Sequence, residues 1–262
     1  MAPRERRGGV LSTPLLLVHG FLDTPRTWDL VLPALQRERE VVAINLPGHA
    51  GGPPLDGEVD AAALLDGVEA LMDAAGLDVV DIAGNSLGGY VAMALATRGR
   101  ARSVVAFAPA GGWAAGDDAY TRTLDHHLDV IAAVQHAAPH ADAILATDEG
   151  RRRATEYLTV NYEHIPKDLL VAQLLGVLGA KAAPALVASA RVHGWPLDPQ
   201  DVTCPLRIVW GAEDRLLPWP RAAAGYQAAF PQADWVVLDG VGHCPQLDVP
   251  AEAADLILGF SS

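Results

Sequence analysis

At 262 residues, half of them hydrophobic and 19% charged, the chain is long enough to bury a large core and has the composition of a folded protein, not a disordered one. A formal net charge of −13 argues against nucleic acid as a partner, because phosphate binding needs clustered Lys and Arg. No apolar run approaches the roughly 20 residues that a membrane helix requires, and no scattered set of histidines has metal-ligand spacing.

The chain opens on a basic stretch containing Arg4–Arg7, which reads as a solvated tail, and then on the short apolar run Leu15–Val18. A secretory leader would need a longer apolar core and a small-residue cleavage site, so the run reads as a buried strand. Val41–Ile44, Val79–Ala83 and Val104–Phe107 read the same way, with Trp28–Gln36, Ala61–Ala75 and Leu87–Thr97 as helices between and after them. Strands buried on both faces and alternating with helices predict an α/β architecture, a mostly parallel sheet with crossover helices. From Gly111 to Pro199 the rhythm changes. Five helical stretches follow one another there (Ala119–Ala138, Ala141–Leu145, Glu149–Val160, Lys167–Leu178, Ala183–Val192), punctuated by Pro139, Pro166, Pro184 and Pro196. The basic run Arg151–Arg153 within them reads as a solvated helix face. Strand character returns at Leu206–Trp210 and Trp235–Leu238, with helices at Pro220–Ala229 and Pro250–Phe260. The expected organisation is a core from residues 1–110 and 200–262, with residues 111–199 as an all-helical cap inserted above it. Two cysteines, Cys204 and Cys244, make no disulfide framework and fit a reducing cytoplasm. Cys244 lies beside His243, so a reactive thiol stands against the plainer reading of a small packing residue.

Gly84-Asn85-Ser86-Leu87-Gly88-Gly89 matches G-x-S-x-G, a weak pattern by itself in a chain with 25 glycines. Its setting gives it force: a strand precedes it and a helix follows. Such a turn holds a serine in strained backbone geometry with its hydroxyl exposed, above a helix N-terminus whose N–H groups favour developing negative charge. A serine hydroxyl needs a base to take its proton. Of nine histidines, His243 follows the last predicted strand in a Gly-flanked loop that reaches the sheet's carboxyl edge, where catalytic groups of open α/β sheets gather. His126, His127, His136, His140, His164 and His193 fall in the helical block and read as surface or cap-packing residues. His19 reads as a loop hydrogen-bonder and His49 as a residue shaping its own loop.

Four segments together resemble the α/β-hydrolase superfamily over nearly the whole chain. They are Val18-His19-Gly20-Phe21, the turn at 84–89, Trp210-Gly211-Ala212-Glu213-Asp214-Arg215-Leu216-Leu217-Pro218, and Gly240-Val241-Gly242-His243-Cys244-Pro245, with the order serine, acid, histidine. The resemblance implies Asp214 as the acid that orients His243, over the adjacent Glu213. Asp117 and Asp118 are the fallback, since some family members carry the acid after an earlier strand. It also implies the backbone N–H groups of Phe21 and Leu87 as the oxyanion hole. His19, Asn85, Trp113 and Trp219 are candidate pocket residues, and Tyr120, Tyr157, Tyr162 and Trp195 lie in the expected cap.

The activity this implies is hydrolysis of a small-molecule carboxylic ester, lactone or thioester through an acyl-enzyme, with no cofactor, no nucleic-acid or membrane partner and the oligomeric state left open. Carbon–carbon hydrolysis of the meta-cleavage product type is the rival, because those enzymes share a Gly-Asn-Ser-x-Gly-Gly turn. A non-catalytic small-molecule receptor on the same fold is a third reading. Epoxide hydrolases and haloalkane dehalogenases of this fold use an aspartate nucleophile, and serine at position 86 speaks against both.

Overall fold

The computed structural model describes residues 13–260, so the expected tail at Arg4–Arg7 lies outside the described residues. The first strand, β1 (Leu15–Val18), is wholly buried, as a run of four apolar residues must be when both faces are covered. A turn of 3₁₀ helix at Pro25–Trp28 and helix α1 (Leu32–Glu38) lead to β2 (Val41–Ile44). Helix α2 (Ala61–Ala74) starts at Asp60, whose carboxylate accepts the Ala63 N–H, and it buries Leu64, Leu65, Val68 and Met72 on one stripe. Strand β3 (Val80–Asn85) runs straight into α3 (Leu87–Thr97), which is buried almost all round, and β4 (Ala101–Phe107) follows.

Five helices then succeed one another before the next strand: α4 (Asp118–Ala137), α5 (Ala141–Ile144), α6 (Asp148–Thr155), α7 (Lys167–Gly179) and α8 (Ala183–His193). Strand β5 (Leu206–Gly211), helix α9 (Ala224–Ala229), strand β6 (Asp234–Leu238), and helices α10 (Pro245–Asp248) and α11 (Pro250–Leu258) complete the chain. The helix expected to run to Val160 stops at Thr155, and residues 156–160 turn back toward the sheet. Their backbone is held there by a carboxylate from α10, a long-range bond that local periodicity does not carry.

The six strands form one parallel sheet in the order β2-β1-β3-β4-β5-β6. The chain moves outward from β1 to β2 and then returns past β1 to β3, so β1 and β3 flank the point where strand order reverses. Ligand sites of open α/β sheets form at the carboxyl ends of such a pair. Here Val18 at the end of β1 pairs with Gly84 near the end of β3, which sets the loop at Gly20–Phe21 beside Ser86. One apolar layer, with Trp28, Phe107 and Ile257, covers one face of the sheet. A larger one, with Tyr90, Met93 and Trp210, covers the other.

The helical insertion is pinned to the carboxyl edge of the sheet at two places. Leu22, after β1, packs with Val177, Ala180 and Ala183 of the insertion. Cys244 and Leu247, after β6, pack with Leu145, Ile165, Leu169 and Leu170. Among the described residues no single helix is long and apolar enough to cross a membrane.

Candidate active site

Ser86 sits between β3 and α3 with φ of 57° and ψ of −117°, a backbone conformation that L-residues rarely adopt. Its own N–H donates to Phe107 O, and its carbonyl accepts from Tyr90 and Ala110, so the strained turn is held by backbone bonds on both sides. The turn is compact because two neighbours lack side chains. A Cβ on Gly84 would lie 2.1 Å from Gly88 O, and one on Gly88 would lie 2.1 Å from Val18 O.

The strands carry the other groups to the same edge. Asp214 follows β5 and is buried. Its Oδ1 accepts from Leu216 N (2.9 Å) and Leu217 N (2.7 Å), and its Oδ2 lies 2.7 Å from His243 Nδ1. Because the carboxylate already accepts two amides, Nδ1 of His243 must be the protonated nitrogen, and Nε2 presents a lone pair. Among the described residues that Nε2 is buried without a hydrogen-bond partner. Glu213 next door is exposed. Asp117 and Asp118, the fallback acids, are engaged elsewhere: Asp117 caps α4, and both pair with Arg221.

Leu87 directly follows Ser86, and Phe21 follows Gly20, which packs against Ser86; among the described residues neither the Phe21 nor the Leu87 amide donates to an acceptor within the protein. The Phe21 ring meets His127 edge-on at 4.9 Å and His49 at 5.6 Å.

Two cavities meet at this edge. A large one of about 860 Å³ is lined by Ser86, His243, Asp23, Gln173 and many residues of the insertion. A small one of about 40 Å³ is lined by Ser86, Leu87, Trp113, Tyr120, Val187 and Trp195, among others. Phe21, Ser86, His127 and Leu216 line both.

Two of the four pocket expectations, His19 and Trp219, need correction. His19 lines neither cavity. It is fully buried, its Nδ1 donates to Gly20 O at 2.8 Å, and its Nε2 accepts from Leu46 N at 3.0 Å. Burial, with His49 nearby, pushes it down to about 3, so the ring is a neutral bracket for the loop that carries Phe21. Trp219 also lines neither cavity, because its ring stacks between Trp210 (6.2 Å) and Trp235 (6.0 Å) in the core layer. Asn85 reaches the cavity wall, but its amide is consumed by structure. Nδ2 donates to Phe107 O and His243 O, and Oδ1 accepts from Gln246 Nε2 and Cys244 Sγ. It ties the serine turn to the histidine loop. Trp113 does line the small cavity. Of the cap aromatics, Tyr157 lines the large cavity, while Tyr162 packs away from both against the cluster around Leu169.

Cys244 is a buried donor in the Asn85 network, and burial raises its thiol well above the ordinary range, so a reactive thiolate is disfavoured. In the Arg151–Arg153 run, Arg151 is no solvated residue: its guanidinium holds the carbonyls of Tyr162, Glu163 and Ile165.

The structure adds residues that the sequence reading passed over. His127, placed there among the packing histidines, lies on the wall of both cavities. Its Nδ1 donates to Thr123 O at 2.7 Å, and burial brings it down to about 4. Asp23 is enclosed by protein yet keeps accessible surface, because that surface is the wall of the large cavity. Its Oδ1 accepts from Thr24 N (2.7 Å) and Gln173 Nε2 (3.3 Å), and burial, outweighing these bonds, pushes it up to about 6. Asp248 is buried and accepts from Gly242 N (2.6 Å), Asn161 N (2.7 Å), Asn161 Nδ2 (2.8 Å) and Val160 N (2.9 Å), so one carboxylate fastens the histidine loop to the insertion. Only the spacing of Asp248 five residues after His243 was available as a signal, and spacing alone does not separate it from a surface acid. Among the described residues no group of three His, Cys, Asp or Glu has the arrangement of a metal site.

The sheet order, the serine turn and the histidine–carboxylate pair define a hydrolase of the α/β type. The sequence pattern of the alpha/beta hydrolase family matches residues 15–256, and the chain belongs to that family. Epoxide hydrolase EphH of Mycobacterium tuberculosis is 33% identical over 210 residues, covering 77% of this chain and 95% of that protein. The dihydrolipoyllysine-residue acetyltransferase component of the acetoin cleaving system of Pseudomonas putida is 29% identical over 256 residues, 97% of this chain. The chain spans 64% of the length of that component. Among solved structures, a thermophilic esterase from Thermogutta terrifontis superposes with a TM-score of 0.70 at 21% identity, covering 95% of this chain and 89% of that one, a likeness of fold.

Proposed function

We propose that the protein is a serine hydrolase that cleaves a small-molecule carboxylic ester, lactone or thioester through an acyl-enzyme on Ser86. The observation that carries this reading is the buried pairing of Asp214 with His243, a residue on the wall of the same cavity as Ser86. Asp214 occupies Nδ1, and Nε2, with no partner among the described residues, is left as the acceptor a nucleophilic hydroxyl needs. His243 Nε2 takes the Ser86 proton as Oγ attacks the carbonyl. The oxyanion gathers on the Phe21 and Leu87 N–H groups. The same imidazolium then protonates the leaving oxygen or sulfur, and water repeats the sequence to free the acid. Asp214 holds the ring and stabilises its positive charge throughout. The helical insertion at 111–199 serves as the cap that walls the substrate cavity and excludes bulk water.

The chemistry of the nucleophile separates this reading from epoxide opening, the activity named for the M. tuberculosis relative. A carboxylate that opens an epoxide forms an ester that water can cleave; a serine that did so would form an ether, with no carbonyl for water to attack. The carbon–carbon rival drew its sequence support from Asn85, and the amide of Asn85 is fully used in joining two loops. Turnover of p-nitrophenyl acyl esters should fall by up to about 10⁶ in Ser86→Ala, the scale seen for loss of a triad serine. Near-wild-type turnover in that variant refutes the assignment. Turnover of a vinylogous diketone acid but of no acyl ester would establish the carbon–carbon reading instead, and tight ligand binding without product would establish a receptor.

A further inference from the structure

The two cavities that meet at Ser86 are unequal, and the proton-transfer chemistry says which side of a substrate enters each. In the acylation step the Ser86 Oγ–C bond forms and the bond from carbonyl carbon to leaving oxygen breaks. That oxygen takes its proton from His243 Nε2. The leaving group must therefore stand on the His243 side of the tetrahedral carbon, and the acyl chain on the other. His243 lines the large cavity and not the small one. Leu87, at the start of α3, lines the small one only. We propose, building on the serine-hydrolase reading, that the substrate is an ester of a short, apolar acyl group with a large alcohol: acyl chain in the small cavity, alcohol in the large one.

Size and polarity of the small cavity set the acyl length. At about 40 Å³, and with roughly 10–15 Å³ needed for each water-sized group, it holds about three such groups, so acetyl to butyryl fits and longer chains do not. Its wall is mostly apolar, with Leu87, Trp113, Leu124, Val187 and Trp195, and its two hydroxyls besides Ser86 donate within the protein: Tyr120 to Ala190 O at 2.8 Å and Thr123 to Ala119 O at 3.0 Å. Such a wall favours an apolar acyl chain over a charged one. The large cavity, at about 860 Å³, lies within the range of whole small-molecule sites, about 300–1,000 Å³.

A reversed pair of isomeric alkyl esters of similar intrinsic reactivity tests the assignment: 2-(2-naphthyl)ethyl acetate, with the bulk on the alcohol, and ethyl 2-naphthylacetate, with the bulk on the acid. Wild type should cleave the first at least about 100-fold faster in kcat/KM, since even one misplaced methylene in a filled pocket costs roughly 10–200-fold. A p-nitrophenyl series should peak between acetate and butyrate. Trp113→Ala and, independently, Val187→Ala should move that peak to longer chains, with thermal melts confirming that each variant is folded. Preference for ethyl 2-naphthylacetate, or for octanoate, that disappears in Ser86→Ala overturns the assignment and leaves the serine-hydrolase reading standing. Turnover that persists in Ser86→Ala, or the cleavage of neither ester, overturns both.

Discussion

The most exacting test of the proposed role of Asp214 is Asp214→Asn. The side chain keeps its shape, so the question is where its oxygen goes. Oδ1 of Asp214 receives two backbone N–H groups, from Leu216 and Leu217, both within 2.9 Å, whereas Oδ2 meets one ring nitrogen at 2.7 Å. An asparagine has one acceptor and one donor to share between these two places. Turning its NH₂ toward the amides would set donors against donors twice, so the oxygen stays with the amides and the NH₂ faces His243. The imidazole can accept that hydrogen bond only by moving its proton from Nδ1 to Nε2, and Nε2–H cannot take a proton from Ser86. The enzyme should therefore fold normally and lose about 10⁴ in kcat, the cost of the wrong tautomer in a serine triad. At about 1.36 kcal/mol per decade this is roughly 5.5 kcal/mol of transition-state stabilisation. Initial rates on p-nitrophenyl acetate, beside a urea melt to verify the fold, provide the measurement. A variant that retains more than a tenth of wild-type kcat with an unchanged melt would show that Asp214 does not govern the tautomer, and the mechanism would fall with it.

Other expectations concern the groups that hold the site in place. Asp248→Ala leaves the buried Gly242 N–H without an acceptor, at about 1–3 kcal/mol, and three part-buried donors of Val160 and Asn161 at less, since water can reach them. Urea denaturation should therefore show a loss of about 2–3 kcal/mol; a loss below about 1 kcal/mol would mean that the bridge to Val160 and Asn161 is decorative. Asp81, buried on β3, lies against Arg39, against Arg102 at 2.6 Å and against Ser103 at 2.6 Å; burial works to raise it, but these donors prevail and hold it below the ordinary carboxylate range. Its stabilisation is present above the unfolded value near ~3.9 and is lost as pH falls through the folded one, so Asp81→Asn should cost most at pH 7 and progressively less below pH 4; a cost independent of pH refutes the ion pair as its source. Asp23 runs the other way: its folded value, raised to about 6, makes ionisation destabilising as pH climbs from about 4 through 6. Asp23→Asn should accordingly raise Tm at pH 8 more than at pH 4, and an equal change at both would mean that Asp23 does not titrate in the folded site.

The regular skeleton was legible because burial and local geometry agree there. Leu15–Val18 and Val41–Ile44 are strands at their expected bounds, and α3 runs over Leu87–Thr97 as its spacing predicts. The serine turn was legible for a different reason: small residues are forced on it by backbone closeness, as the contacts of a hypothetical Cβ on Gly84 and Gly88 demonstrate. What escaped was decided by groups far apart in sequence. Trp219 lies five residues past Asp214, and proximity in sequence made it a pocket candidate, but Trp210 and Trp235 claim its ring for the core. His127 was one helical histidine among several until the fold brought Phe21 against it from a hundred residues away. Asn85 fits both a substrate-binding and an architectural role in any alignment of turns; only its four partners decide between them.

Those partners also bear on how the site and the insertion depend on each other. The histidine loop is joined to the serine turn through Asn85, and to the insertion through Asp248 and the packing of Cys244 and Leu247. The loop bearing Phe21 is joined to the insertion through Leu22 and through the Asp23–Gln173 bond. The elements proposed to supply the base and half of the oxyanion hole are thus each fixed on one side by the sheet and on the other by the helices that wall the cavity. A core with the insertion excised would keep its strands, but it would free the two loops whose separation the chemistry depends on. Substitutions inside the insertion that loosen either seam should consequently lower kcat, and not merely weaken substrate binding. Gln173→Ala is the mildest such change, since it removes one 3.3 Å hydrogen bond to Asp23 and leaves the packing of α7 intact. A fall in kcat with p-nitrophenyl acetate at an unchanged KM would identify the seam as part of the positioning apparatus. A change confined to KM would assign Gln173 to the cavity wall alone.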